Sequence, residues 1–246
     1  MLKQSVLAVS LLVGAAHLAQ ADTILGVSSG AGIWQSDIVG DVQDGTTKID
    51  TEDDLGLEDN DNNFFYFALE HPIPVLPNLK LQHTKLSVDG DNLLTREIDF
   101  DGSVFPVSDN VSAEADLTHT DATFYYEVLD NWVSLDLGIS VRVFDGFVEI
   151  QSTSESTRED LDDPIPMLYG KARFDLPLTG LSVDAEANGI GYGGNTLIDA
   201  SLRVAYESSI GLGVEAGYRS MQLDIDEDIE GDIDLSGVFA GINFHF

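Results

Sequence analysis

Only 11 residues of 246 are Lys or Arg, against 44 Asp or Glu, so any cation set among apolar neighbours is a candidate for chemistry. Five of them, Arg142, Lys171, Arg173, Arg203 and Arg219, occupy alternate positions in apolar runs, and each acquires an acid when those runs fold into hairpins. A reversal over Leu129-Asp130-Asn131-Trp132 sets Asp121 opposite Arg142 and leaves Glu127 opposite Asp136. One centred on Leu178-Thr179 sets Arg173 against Asp184 and Lys171 against Glu186. One centred on Ser209 sets Arg203 against Glu215 and Asp199 against Arg219. Such a lattice supports two readings, the selectivity lining of a narrow ion pore or an ion-paired filling of a closed interior. A small barrel has room for little beyond its own side chains, which favours the filling.

Other chemistry is thin. His119, close to Asp116 and Asp121, has the neighbours of a proton shuttle, but no second histidine reaches its level, and a solvated histidine at the rim is the plainer reading. The chain has no Cys, so thiolate nucleophiles, disulfides and zinc-thiolate sites are excluded. The acidic tracts around 50–61 and 224–234 lack the Asp-x-Asp/Asn-x-Asp/Asn-Gly order of a calcium loop, and support weak divalent cation binding at most. Gly189–Asn195 lacks the Gly-Lys-Ser/Thr ending of a phosphate loop and reads as a hairpin. No catalytic residue, metal centre or cofactor is expected.

The elements that must position the lattice are strands. Val133, Leu135, Leu137, Ile139, Val141 and Val143 alternate with Ser134, Asp136, Gly138, Ser140 and Arg142, the apolar-out, polar-in pattern of a strand that crosses a membrane. Similar blocks are read at 24–34, 64–69, 79–88, 118–128, 165–176, 181–188, 196–206 and 211–221, with a last one ending at Phe246. The reversals after the even strands are short, whereas those after the odd ones are mostly longer and often acidic. The tracts 35–63, 89–116 and 145–163 are read as loops. Trp34, Tyr126, Trp132 and Tyr206 fall near predicted strand ends, where interfacial aromatics belong.

At the end of the chain, Val238, Ala240, Ile242, Phe244 and Phe246 share one face, and Gly241, Phe244 and Phe246 resemble the Gly-x-x-Φ-x-Φ assembly signal of outer-membrane barrels, apart from Phe239 at a position usually polar. At the start, Lys3, an apolar run over 6–16 and Ala19-Gln20-Ala21 read as an export signal over residues 1–21, with the barrel over 22–246. No segment approaches the roughly 20 apolar residues of a membrane helix. A net charge of −33 opposes binding to nucleic acid.

The stretches Glu70-His71-Pro72-Ile73-Pro74-Val75-Leu76-Pro77-Asn78 and Tyr125 to Gly138 resemble those of a family of small, largely uncharacterised outer-membrane β-barrel proteins of Gram-negative bacteria. That resemblance implies location and fold, and brings no substrate or catalytic residues. The expectation is therefore an all-β, transmembrane, antiparallel up-and-down barrel of ten strands, or eight if the third pairs poorly. It would sit in the cell outer membrane, in contact with lipid and lipopolysaccharide, after delivery to the barrel assembly machinery through its last strand. Its role would be structural or in surface interaction; a narrow ion channel is the alternative, and a rim-type hydrolase a remote one.

Overall fold

The computed structural model describes residues 25–246 except 46, 59, 101, 227 and 228; the export signal and Asp22 lie outside the described residues. The chain opens with β1 (Gly26–Asp44), β2 (Thr47–Asp50), β3 (Asn60–Glu70) and β4 (Asn78–Lys85). A run of short strands follows: β5 (Ser87–Leu93), β6 (Ile98–Phe100), β7 (Ser103–Phe105) and β8 (Asn110–Asp116). After β9 (His119–Leu129) and β10 (Val133–Phe144) comes a short pair, β11 (Gly146–Gln151) and β12 (Ser156–Leu161). Then come β13 (Pro164–Leu176), β14 (Leu181–Tyr192), β15 (Asn195–Glu207), β16 (Leu212–Asp226) and β17 (Ile229–His245).

Among the described residues, ten of these strands form one closed wall in the order β1-β3-β4-β9-β10-β13-β14-β15-β16-β17, and β17 pairs back along β1. Closure satisfies both outer strands and removes the open edges of the sheet. The two ends of the described chain meet where it closes: Val27 and Phe246 exchange backbone hydrogen bonds of 2.8 and 2.9 Å. Alternation gives the wall its faces. In β10, Leu137, Ile139 and Val143 are exposed outward, while Asp136, Ser140 and Arg142 are buried inward. The wall's pairs of β14 and β15 turn on Gly193 and Gly194, both at positive φ (67° and 103°), which suits a two-residue reversal between twisted strands.

At the end away from the termini the wall carries a cap. β12, β11, β8 and β5 form a four-stranded sheet, β6 and β7 a small hairpin, and β2 continues the wall beside the upper part of β1. These pieces bury Ile49, Leu55, Leu86, Val88, Leu94, Ile98, Phe105, Val111 and Ile150 in one apolar cluster. That cluster runs down into the barrel mouth through Trp34, Ile38, Met221, Leu235 and Phe239. Burying an aliphatic or Phe side chain is worth roughly 1.5–3 kcal/mol, which is why chain this acidic folds instead of remaining solvated.

Several expectations change. The tracts 89–116 and 145–163 are not loops but contain β5–β8 and β11–β12. Strands β1, β16 and β17 run on to Asp44, Asp226 and Ile229, so the presumed acidic hairpin over 222–232 is a paired ribbon, with Asp226 opposite Glu230. Trp34 is not interfacial: it has no exposed surface and points into the interior, while Tyr126, Trp132 and Tyr206 are exposed. Phe239, the departure from the usual assembly signal, packs edge-on against Phe64 at 5.7 Å inside the barrel mouth.

Candidate functional site

The lumen beneath the cap holds the charged residues. Just below the apolar cluster, Arg142 of β10 donates to both oxygens of Asp121 on β9, each at 2.8 Å, and to Asp199 Oδ2 of β15 at 2.5 Å. Arg219 of β16 donates to Asp199 at 2.9 and 2.7 Å and to Thr84 Oγ1 at 3.1 Å. Its guanidinium also lies over Trp34, 4.6 Å from the ring. Two guanidiniums balance two carboxylates in a layer whose Arg142 has no exposed surface.

His119, expected as a solvated rim residue, is instead fully buried in this layer. Its Nδ1 lies 2.8 Å from the Leu117 carbonyl, which can only accept, so Nδ1 carries the proton and Nε2 accepts from Arg219 at 3.4 Å. Ligand atoms of His119, Asp121 and Asp199 lie within 4.8 Å of one another, as a metal would need. Here the two guanidiniums already supply the positive charge, and each of these ligand atoms already accepts a hydrogen bond from one of them, so a cation would have to displace an arginine.

A second group lies deeper, toward the termini. Arg203 of β15 donates to Asp184 on β14 and to Glu215 on β16, each at 2.9 Å. Tyr66 OH donates to the same Glu215 oxygen at 3.0 Å. Gly30 makes room for that tyrosine, because a Cβ there would meet its ring at 2.5 Å. Lys80 of β4 pairs with Glu186 of β14, and Tyr125 OH donates to Glu70 at 2.8 Å. Below these groups the lumen opens at the terminal end into a cavity of about 430 Å³.

All ten residues of the expected lattice face the lumen, but not all in the expected couples. The registers set Asp121 opposite Arg142, Arg173 opposite Asp184 and Lys171 opposite Glu186. The register of β15 and β16 is shifted by two, with Arg203 opposite Gly217 and Asp199 opposite Met221, and the ion pairs to Glu215 and Arg219 form on the diagonal. Arg173 bridges Asp175 at 2.9 Å, leaving Asp184 to Arg203, and Glu186 takes Lys80. Lys80, Tyr66 and Tyr125 are members of the lumen network outside the expected lattice. The alternation of β4 as residue types was too weak to set Lys80 inward, and an inward tyrosine is indistinguishable by type from one at the lipid interface.

No family model matches the chain, and no curated protein does. Solved structures do. The outer membrane protease OmpT from Escherichia coli is similar at 8% identity over 94% of this chain and 100% of that one, with a TM-score of 0.54. The attachment invasion locus protein Ail of Yersinia pestis, solved with the heparin analogue sucrose octasulfate, is 12% identical over 89% and 99%, with a TM-score of 0.34. The CymD monoaromatic hydrocarbon channel is 10% identical over 92% and 70%, with a TM-score of 0.35. The likeness to OmpT is one of fold, the closed ten-stranded antiparallel barrel.

Proposed function

We propose that the protein is an integral outer-membrane barrel with a closed, ion-paired lumen, serving a structural or surface-interaction role. The observation that carries this reading is Arg142, buried between Asp121 and Asp199 directly beneath the apolar cluster. A permeating ion would have to break that layer and then cross the apolar cluster of the cap, and separating a buried pair leaves an uncompensated charge. The outward belt of Ile33, Phe65, Leu137, Ile139, Leu202, Val214 and Ile242 is the apolar surface that lipid would cover. The chain's likeness to small Gram-negative barrels fits the same placement, with the termini in the periplasm and the cap facing lipopolysaccharide and the medium.

A narrow ion channel remains the second reading, favoured by the cavity at the terminal end. Reconstitution into planar bilayers separates the two. A closed lumen gives no regular single-channel steps, whereas reproducible wild-type steps of uniform size would sink the proposal in favour of the channel. OmpT is a protease, but a rim-type hydrolase is disfavoured in this chain because His119 is enclosed and already bonded to Arg219.

The last strand carries the assembly reading. Phe246 is 79% exposed, and its backbone already pairs with Val27, so truncating the side chain removes little internal packing. With Gly241 and Phe244 it is left to be recognised by the assembly machinery. Phe246→Ala is expected to lower the yield of folded barrel in outer-membrane fractions and to leave precursor in the periplasm. An unchanged yield removes that role.

A further inference from the structure

The outward face of the wall changes from apolar to polar just below the cap, and on β3 and β4 that boundary carries donors with nothing to bond. In β4, Thr84 is fully buried and faces the lumen, so Leu79, Leu81, His83 and Lys85 face outward. Leu81 still belongs to the exposed apolar belt, as do Phe65 and Phe67 of β3 and Phe124 of β9. Toward the cap the same face turns polar. Asn63 of β3 stands directly opposite Lys85, and Phe65 directly opposite His83. Beyond Lys85 the chain enters the cap at Leu86, which has no exposed surface.

In a chain with 44 Asp or Glu against 11 Lys or Arg, a surface cation without a carboxylate is the exception. Lys48, Arg96 and Arg158 on the outer surface each hold one. Lys85 is exposed and, among the described residues, has no hydrogen bond or ion pair, and the same holds for the side chain of Asn63. His83 Nδ1 lies 3.0 Å from Thr120 Oγ1 on β9. When that hydroxyl donates, the ring proton is left on Nε2, a third donor on this face. Elsewhere along the boundary the outward face is acidic: above their apolar stretches β1, β16 and β17 carry Asp37, Asp224 and Asp232. Lipid phosphates lie where hydrocarbon gives way to headgroups, at the height of this patch. Asp61, exposed on the same face of β3, opposes an anion arriving from water, so anchorage of the phosphate in the membrane is what brings it here.

We propose that the outward patch of Lys85, Asn63 and His83 binds the phosphate of one outer-leaflet lipid, whose acyl chains lie along Leu81, Phe65 and Phe124. The ammonium of Lys85 supplies the charge, and the amide and the imidazole supply neutral donors to the remaining phosphate oxygens. The proposal deepens the outer-membrane reading and rests on it, but it is independent of whether the lumen conducts.

The test is native mass spectrometry of the full barrel released from detergent micelles that contain phosphatidic acid or, in parallel, a diacylglycerol of the same chains, which lacks the phosphate. The wild type is expected to retain one phosphatidic acid, to retain no diacylglycerol, and to keep its lipid in excess ammonium phosphate. Lys85→Gln should weaken retention about five-fold, the worth of one lysine beside an anionic lipid surface. Lys48→Gln, which removes a cation from the water-bathed ribbon, should leave it unchanged, and so should Lys85→Arg. Equal retention of the two lipids, or equal loss in Lys85→Gln and Lys48→Gln, overturns the site. Displacement by ammonium phosphate makes it a site for free anions and overturns the lipid assignment. If Lys85→Gln gives no heat-modifiable folded band, Asn63→Asp, which sets a carboxylate across from Lys85, takes its place; weakened retention then supports the site and unchanged retention overturns it. A barrel that enters liposomes yet retains no phosphatidic acid loses the site and leaves the outer-membrane reading standing, whereas one that stays out of liposomes loses both.

Discussion

The lumen and the barrel mouth that meets the cap are built from the same strands by opposite rules. Along β17, Val238, Ala240, Ile242 and Phe244 face outward and Gly241 and Asn243 inward; beyond Ser236 the outward positions become Asp232 and Asp234 and the inward ones Ile233 and Leu235. β16 makes the same exchange, from outward Val214 and Tyr218 with inward Glu215 and Arg219, to outward Gln222 and Asp224 with inward Met221 and Leu223. The period of two never breaks, but the face that is apolar changes. The outer medium explains it: where hydrocarbon bathes the wall the polar set must turn in and pair, and where water bathes it the apolar set turns in and packs.

The water-bathed face even tolerates a row of aspartates across neighbouring strands, Asp224, Asp232, Asp41 and Asp50, each directly opposite the next. Like charges so placed oppose pairing, and Lys48, 2.7 Å from Asp41, offsets only part of that. The apolar side of the same ribbon therefore holds it together. In the lumen the inward side is mainly polar among the described residues, and the ion pairs of Arg142, Arg203 and Arg219 link strands across it.

That contrast can be broken from either end. The largest effect is expected at Arg142. Arg142→Ala leaves Asp121 buried without its partner and should cost about 3–5 kcal/mol in urea unfolding followed by the folded gel band. Arg142→Leu with Asp121→Leu should recover most of it. A loss below about 1 kcal/mol for Arg142→Ala would mean the layer is not what holds the lumen.

In the cap, Leu94, 2% exposed, answers to packing alone. Leu94→Ala should cost about 3 kcal/mol, read as faster hydrogen exchange in β5 and β8 while exchange in β13–β15 stays unchanged. Uniform acceleration throughout the barrel would show that cap and wall unfold as one unit, and the two-region contrast would fail.

The smallest effect is electrostatic. Asp54 joins the loop after β2 to Arg96, which donates to it at 3.0 Å through Nε, while the Asp50 N–H donates at 2.9 Å. Burial tends to raise its carboxyl pKa, but the Arg96 hydrogen bonds and charge and the Asp50 N–H outweigh it and hold the pKa below the ordinary value. A lowered carboxylate stabilises above its unfolded pKa of about 3.9, and the contribution is lost as pH falls through the lower folded value. Arg96 is partly exposed, so cap stability should drop by no more than about 1 kcal/mol in that acid window. Arg96→Ala should remove the dependence, and a pH profile unchanged by it would assign no role to this pair.

Residue types alone determined the ten-stranded wall, its short reversals at one end, the lipid-facing parity of β10 and β13–β17, and the inward set of Arg142, Arg173 and Arg203. Each follows from local alternation and from turns within one hairpin. Tertiary structure decided the rest. The exchange of faces at Ser36, Ser220 and Ser236 made three strands look finished, because a parity that turns polar reads as a loop until something apolar is found across from it. What lies across is the cap, assembled from 47–57, 86–117 and 146–161, and no local pattern brings those segments together. The pairing of Asp199 with Arg219 was legible, but its second partner and that of Glu186 were hidden: Arg142 and Lys80 reach them across the lumen from strands that are not their neighbours, and only closure of the wall brings such residues within hydrogen-bond distance.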